Sequence, residues 1–239
     1  MKKELIEICR KHVLPSGESA AMVAEPYIPY VPESWNRTLV LAEAQNHGIS
    51  SADYLDWLKQ QSSDRRIERL YLYPKGFGVQ PWDDGSLRIA LEAAFDQRAT
   101  QTAVSNAVLW SLVTDTGKNQ NPSKALCERS VGVWRDLFEV LRPELVVTAG
   151  KVAENVMAEV IRLVPSPCRQ VALRLPSPSA MNRISGMFDE ADLLRRYPEV
   201  KRVVEAHPKW MSGPHRRNKI FFGCHAVSIA KRGLADPRR

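Results

Sequence analysis

The sequence predicts an α/β domain of three layers, with helices on both faces of a central, mainly parallel four-stranded sheet. Two observations carry that expectation. Four short apolar runs, starting at Thr38, Ala103, Glu144 and Val171, alternate with segments whose apolar residues recur at helical spacing. Strands that alternate with helices build parallel sheets covered on both sides. At 239 residues and 44% hydrophobic content the chain can also bury one sizeable core, and it shows no internal repeat or low-complexity segment. We therefore expect one domain over residues 1–239, with an N-terminal helical extension (about 1–33) and a basic C-terminal tail (about 208–239).

Met1 to Val13 carries Leu5, Ile6, Ile8 and Cys9 at helical spacing between charges, which predicts a helix rather than the continuous apolar run of a signal peptide. Gly17 to Glu33, with Pro26, Pro29 and Pro32, reads as an irregular approach to the first strand. That strand, Thr38 to Glu43, ends in the polar cluster Glu43, Gln45, Asn46 and His47. A helix is expected from Ser51 to Gln61 and a long structured loop from Leu70 to Asp84. Leu87 to Phe95 reads as helix, and Ala103 to Trp110 as the second strand, with Asn106 its conspicuous polar residue. Pro122 and Ser123 open a helix to about Leu141, with Val131, Trp134, Leu137, Phe138 and Leu141 on its inner face. Glu144 to Gly150 is the third strand, Lys151 to about Leu163 the next helix, and Val171 to Leu175 the fourth strand. A helix from Gly186 to His207 completes the pattern.

The formal net charge of +7 leaves Lys and Arg to face a polyanion, which permits a nucleic-acid partner without requiring one. Arg216, Arg217, Lys219, Lys231, Arg232, Arg238 and Arg239 in the tail are candidate DNA contacts; the alternative is a solvated end. No apolar stretch is long enough to span a bilayer. Cys9, Cys127, Cys168 and Cys224 form no CxxC pair, so a reduced, cytoplasmic protein is expected.

Parallel sheets bind ligands beyond the carboxyl ends of their strands, where the polar clusters after the first and fourth strands fall. Glu43 there offers a carboxylate for general-base or electrostatic work; alternatively it caps the following helix or pairs with an arginine. Asn106 offers one donor and one acceptor in a plane, complementary to the polar edge of a pyrimidine, unless the backbone satisfies it.

Three segments, Ala42-Glu-Ala-Gln-Asn-His47, Ser105-Asn-Ala-Val-Leu109 and Leu175-Pro-Ser-Pro-Ser179, resemble in this order the motifs of the uracil-DNA glycosylase superfamily. Lys118 to Ser123 and Leu141 to Gly150 look like its middle third, so the resemblance spans roughly Leu39 to Ser185. It implies a monofunctional glycosylase that flips a pyrimidine out of DNA and hydrolyses its bond to the sugar. Glu43 would be the catalytic acid residue and His47 a helper. Asn106 would read the base, beside Asn46, and Phe77 would stack on it. Ser177, Ser179 and Arg183 would hold phosphates, and Met181 or Ile184 would wedge into the gap. The implied partner is DNA, with no membrane, and the chain is expected to be a monomer.

Three departures refine that picture. Leu175 stands where the family usually has a His and cannot donate a hydrogen bond to the departing base. Gln45 and Asn46 replace the family's Pro followed by Tyr or Gly, which removes a side chain that crowds the pyrimidine 5-position. A pocket for an enlarged, modified pyrimidine follows, such as the hydroxymethylated or glucosylated cytosine of phage DNA, and with it a role in antiviral defence. The cysteines are too few for the iron-sulfur cluster of one branch, and Cys9, Cys127 and His12 lack a fourth zinc ligand, so no cofactor and no metal are expected. The alternatives are a repair enzyme for uracil and a catalytically silent nucleic-acid-binding module.

Overall fold

A computed structural model describes residues 1–15, 24–47, 57, 59–67, 85–113, 121–165, 167–174, 186–211 and 215–235, without the side chains of 45–47, 111–113 and 233–235. Its centre is a four-stranded sheet of β1 (Thr38–His47), β2 (Ala103–Val113), β3 (Leu145–Ala149) and β4 (Arg169–Leu173), in the order β2-β1-β3-β4. Every pair of neighbouring strands is parallel. Around it lie α1 (Lys2–Lys11), α2 (Ser86–Phe95), α3 (Lys124–Leu141), α4 (Lys151–Leu163), α5 (Glu190–Arg196), α6 (Pro198–Ala206) and α7 (Arg216–Ala235). The three-layer α/β/α arrangement expected from the alternation is therefore present.

Pleating sends alternate residues of each strand to opposite layers. Leu39, Leu41, Ala103 and Val146 join Trp134, Phe138 and Met157 in the core beneath α3 and α4. Val40, Val104 and Val147 face the other way, onto Leu87 and Leu91 of α2 and Phe222 of α7. A second tier, α5 and α6, is held by Ile89, Val200, Val203 and Ile220. At Gly223 the approach of α7 is so close that a Cβ would stand 2.7 Å from Ile89 Cγ2.

Local signals set most boundaries. Ser123 caps α3 by accepting from Leu126 N–H, and Arg142, in the left-handed region at φ 46°, ends it before Pro143. The edge strand β2 is covered by the approach segment: Tyr30 and Val104 exchange both backbone hydrogen bonds, and Tyr27 N–H donates to Leu109 C=O. Pro26 and Pro29 in this cover have no N–H to offer a further chain.

Several expectations change. β1 continues through the polar cluster to His47, and β2 to Val113, with an irregular register between Ala44 and Asn46. The fourth strand lies two residues earlier than expected. The single helix expected over 186–207 is two, α5 and α6, because Tyr197 precedes Pro198, and a residue before proline is driven out of the helical region. Residues 63–67 are helical, whereas most of the helix expected at 51–61 lies outside the described residues.

The largest change concerns the supposed basic tail. Residues 216–235 form α7, whose Ile220, Phe222, Cys224, Ala226, Val227 and Ala230 are core residues. The N-terminal extension is likewise integral, with Leu5 and Cys9 fully buried. Among the described residues no helix is long and apolar enough to cross a membrane.

Candidate functional site

The central strand β1 carries Glu43 toward the carboxyl side of the sheet, on the face shared by Leu39 and Leu41. The amino end of α4 meets it there. Gly150, at φ +99°, turns the chain from β3 into α4 and donates its N–H to Leu173 C=O at 2.9 Å. Val152 N–H, in the first turn of α4, donates to Glu43 Oε1 at 3.0 Å. Gly150 has no side chain to cap α4, so a carboxylate 109 residues away in sequence does so, where the positive end of the helix dipole favours an anion. The glycine is required twice: by its left-handed conformation, and because a Cβ would lie 2.5 Å from Glu43 Oε1. The other carboxylate oxygen of this half-buried side chain has no partner among the described residues.

Asn106 does not converge with it. It sits fourth in the eleven residues of β2, well inside the strand rather than at its end. Its register partner is Ala42, and parallel partners share a face, as the pairs Leu39 with Ala103 and Val40 with Val104 show by joining opposite cores. By strand alternation Asn106 then falls on the face opposite Glu43, although the next pair, Ala44 with Val108, packs on the core beneath α3 and α4. It is half-buried, and among the described residues its carboxamide has no hydrogen-bond partner.

Asn46 and His47 are placed in β1 opposite Leu112 and Val113, but their side chains lie outside the described residues. So do Phe77, Leu175, Ser177, Ser179, Met181, Arg183 and Ile184 in full. No protein-family model matches the chain, and no curated protein matches it.

Two residues at this edge escaped the sequence reading. Gly150 had a legible signal, a glycine between a strand and a helix. His225 had none, being a lone histidine inside a helix. Its half-buried ring stands at the carboxyl end of β4, where Arg174 N–H donates to Nε2 at 3.4 Å, leaving the proton on Nδ1. Burial, then the charges of Arg174 and Arg232, push its pKa down to about 4, so the imidazole is neutral at pH 7.

Other chemistry is less favoured. Burial pushes the Cys9 and Cys224 thiols up to about 12 and Cys168 to about 11, which suppresses their thiolates. His12 Nε2 is paired with Asp136 at 2.8 Å across α1 and α3. Among the described residues no three His, Cys, Asp or Glu side chains gather as metal ligands would. A groove of about 370 Å³ bordered by Glu92, Asp96, Leu145, Arg169 and Arg202 opens at the amino ends of β3 and β4, the end of a parallel sheet that rarely carries chemistry.

Proposed function

We propose that the chain is a monofunctional DNA glycosylase that flips out a pyrimidine and hydrolyses its N-glycosidic bond, leaving an abasic site. One observation carries the reading: Glu43 is held at one carboxylate oxygen by Val152 N–H, while the other is unpaired among the described residues. A carboxylate fixed in this way can stabilise the positive charge that develops at C1′ as the base departs, and can orient the attacking water, with no reorganisation during the step. Extruding the base costs a few kcal/mol, which contacts to the strand must offset. The proposed substrate is a modified pyrimidine such as hydroxymethylated or glucosylated cytosine, because the sequence puts Asn46, a small polar residue, two positions beyond Ala44 where the resembling family crowds the 5-position. Cleavage of such bases would suit defence against phage DNA.

The face occupied by Asn106 favours a second reading. A base reader and a catalytic carboxylate on opposite sides of a sheet do not share a pocket within it, and Leu175 cannot assist departure of the base. Both facts fit a nucleic-acid-binding module that lacks the chemistry.

Base release separates the two. Duplex and single-stranded DNAs carrying uracil, 5-hydroxymethylcytosine or its glucosylated form are incubated with the protein, and abasic sites are revealed by alkaline cleavage. We expect release from the modified cytosines, reduced by about 10²–10⁴-fold in Glu43→Gln. Release from uracil alone would make the enzyme a repair glycosylase. DNA binding without release from any substrate would establish the silent module.

A further inference from the structure

Helix α7 is buried around most of its circumference, and what it leaves open includes one continuous stripe. Arg217, Phe221, His225, Ser228 and Arg232 recur at spacings of four, four, three and four residues, which aligns them along one side of a helix. All five are half-buried or exposed, whereas residues 218–220, 222–224, 226–227 and 230 are buried. The stripe contains no carboxylate. Lys219, grouped with these arginines in the sequence reading, is buried and donates to Trp210 C=O, so it is not part of this surface.

Two other elements add to it. Phe188 stacks on Phe221 with ring centroids 5.4 Å apart and planes 28° from parallel, and it remains 40% exposed beside Met187 at 79%. Exposed Arg174 reaches the stripe through its backbone bond to His225. Among the described acids nearby, Glu190 pairs with Arg216 at 2.8 Å, Glu199 meets Lys231 through Oε1 at 2.7 Å, and Asp189 caps α5. His225 marks the carboxyl end of β4, while Ala230 borders the groove at its amino end, so the first half of α7 extends past the carboxyl edge of the sheet.

We propose that this stripe, with Phe188 as its platform, binds single-stranded DNA, a base stacking on the exposed Phe188 ring and phosphates meeting Arg174, Arg217 and Arg232. Rings flanked by cations along a track are the arrangement that single strands use, since every unpaired base offers a flat face and every linkage a charge. A duplex keeps its bases stacked on one another and cannot use the ring. A second copy of the chain would set this arginine row against its own kind. The assignment does not depend on Glu43, and so reaches beyond the base-release reading.

Fluorescence anisotropy of a labelled oligothymidine tests it directly. Phe188→Leu, which keeps apolar bulk and removes the ring, should weaken binding about tenfold. The pair Arg217→Gln and Arg232→Gln should flatten the slope of log affinity against log salt by about 0.7 for each phosphate contact removed. An oligothymidine that binds Phe188→Leu as tightly as the parent, or does not bind the parent, would overturn the proposal. A parent dimer that Phe188→Leu dissociates, with oligothymidine affinity unchanged, would give the patch to a second copy instead. Loss of base release with these binding results intact would sink only the glycosylase reading, so the two fail separately.

Discussion

Glu25 and Glu43 are both acids drawn into the body of the molecule, and their surroundings differ in what they leave over. Glu25, 1% exposed, receives Arg66 Nε at 2.7 Å and Nη2 at 2.6 Å, together with Ser63 Oγ at 2.6 Å. Both oxygens are saturated, and the cluster ties the 63–67 turn to the approach segment. Among the described residues Glu43 holds a single backbone N–H, at one oxygen, beside a helix terminus, and its other oxygen has no partner. A saturated buried carboxylate can only hold the fold together, whereas one anchored at a single atom is positioned and still has a lone pair to use. That contrast, rather than burial alone, separates the structural acid from the candidate functional one.

The largest effect expected from breaking the contrast is at the saturated end. Glu25→Ala strands a half-enclosed guanidinium against the core and should cost about 3–5 kcal/mol of unfolding free energy, measured by urea denaturation followed by circular dichroism. Glu43→Gln should leave the same curve nearly unmoved.

Acid should sharpen the difference. Burial pushes the Glu25 carboxyl up, but its hydrogen bonds from Arg66 and Ser63 more than offset this and leave it below the usual glutamate value. The unfolded chain therefore takes up that proton more readily, so the stabilisation is present above about pH 4.3 and is lost as the pH falls below it. His225 works in the same direction over an earlier window, between its ordinary 6.5 and the folded value of about 4, because unfolding exposes a base that burial keeps neutral. Melting temperatures should thus decline in two stages below neutrality, and Glu25→Gln should shrink the second, to which Asp136 and Glu199 also contribute. An unchanged acid profile in Glu25→Gln would show that other carboxylates govern it.

The two regions also differ in how far the sequence exposed them. Alternating apolar runs announced the sheet and its helices, because buried parallel strands tolerate little else. Glu43 was legible as a strand-borne acid with helix capping as one of its alternatives; the structure shows that it does cap a helix, one that begins 108 residues later and not the next in the chain. No sequence pattern encodes that pairing, since Gly150 and Glu43 meet only when β1 and β3 become neighbours. Asn106 was legible as a polar residue inside an apolar strand, but its face depends on register, and register is a tertiary property. The tail was misread because Arg217 and Arg232 lie on one stripe of a helix whose other sides are mostly core, so composition masked its burial.

A middle-sized effect is expected where the two halves of the Glu43 site touch. Gly150→Ala must adopt φ near +99° and place a methyl group 2.5 Å from the carboxylate oxygen. A cost of about 1–3 kcal/mol should appear in the denaturation midpoint, with base release falling alongside it as Glu43 is displaced. A fall in stability without loss of release would separate the cap from the chemistry.

The smallest effect decides whether the cap is what positions Glu43. Glu43→Ala removes the acceptor from Val152 N–H and should cost about 1 kcal/mol, the usual value of a lost N-terminal cap. Glu43→Gln retains a carbonyl oxygen that can accept the same bond and should cost a few tenths at most, while still abolishing whatever depends on negative charge. Urea midpoints that order as parent, Gln, Ala, together with equal loss of base release in both variants, would show that one residue holds the helix through its oxygen and acts through its charge. Equal stability in all three would instead mean that water satisfies the α4 terminus, and that the geometry of Glu43 is maintained by its strand alone.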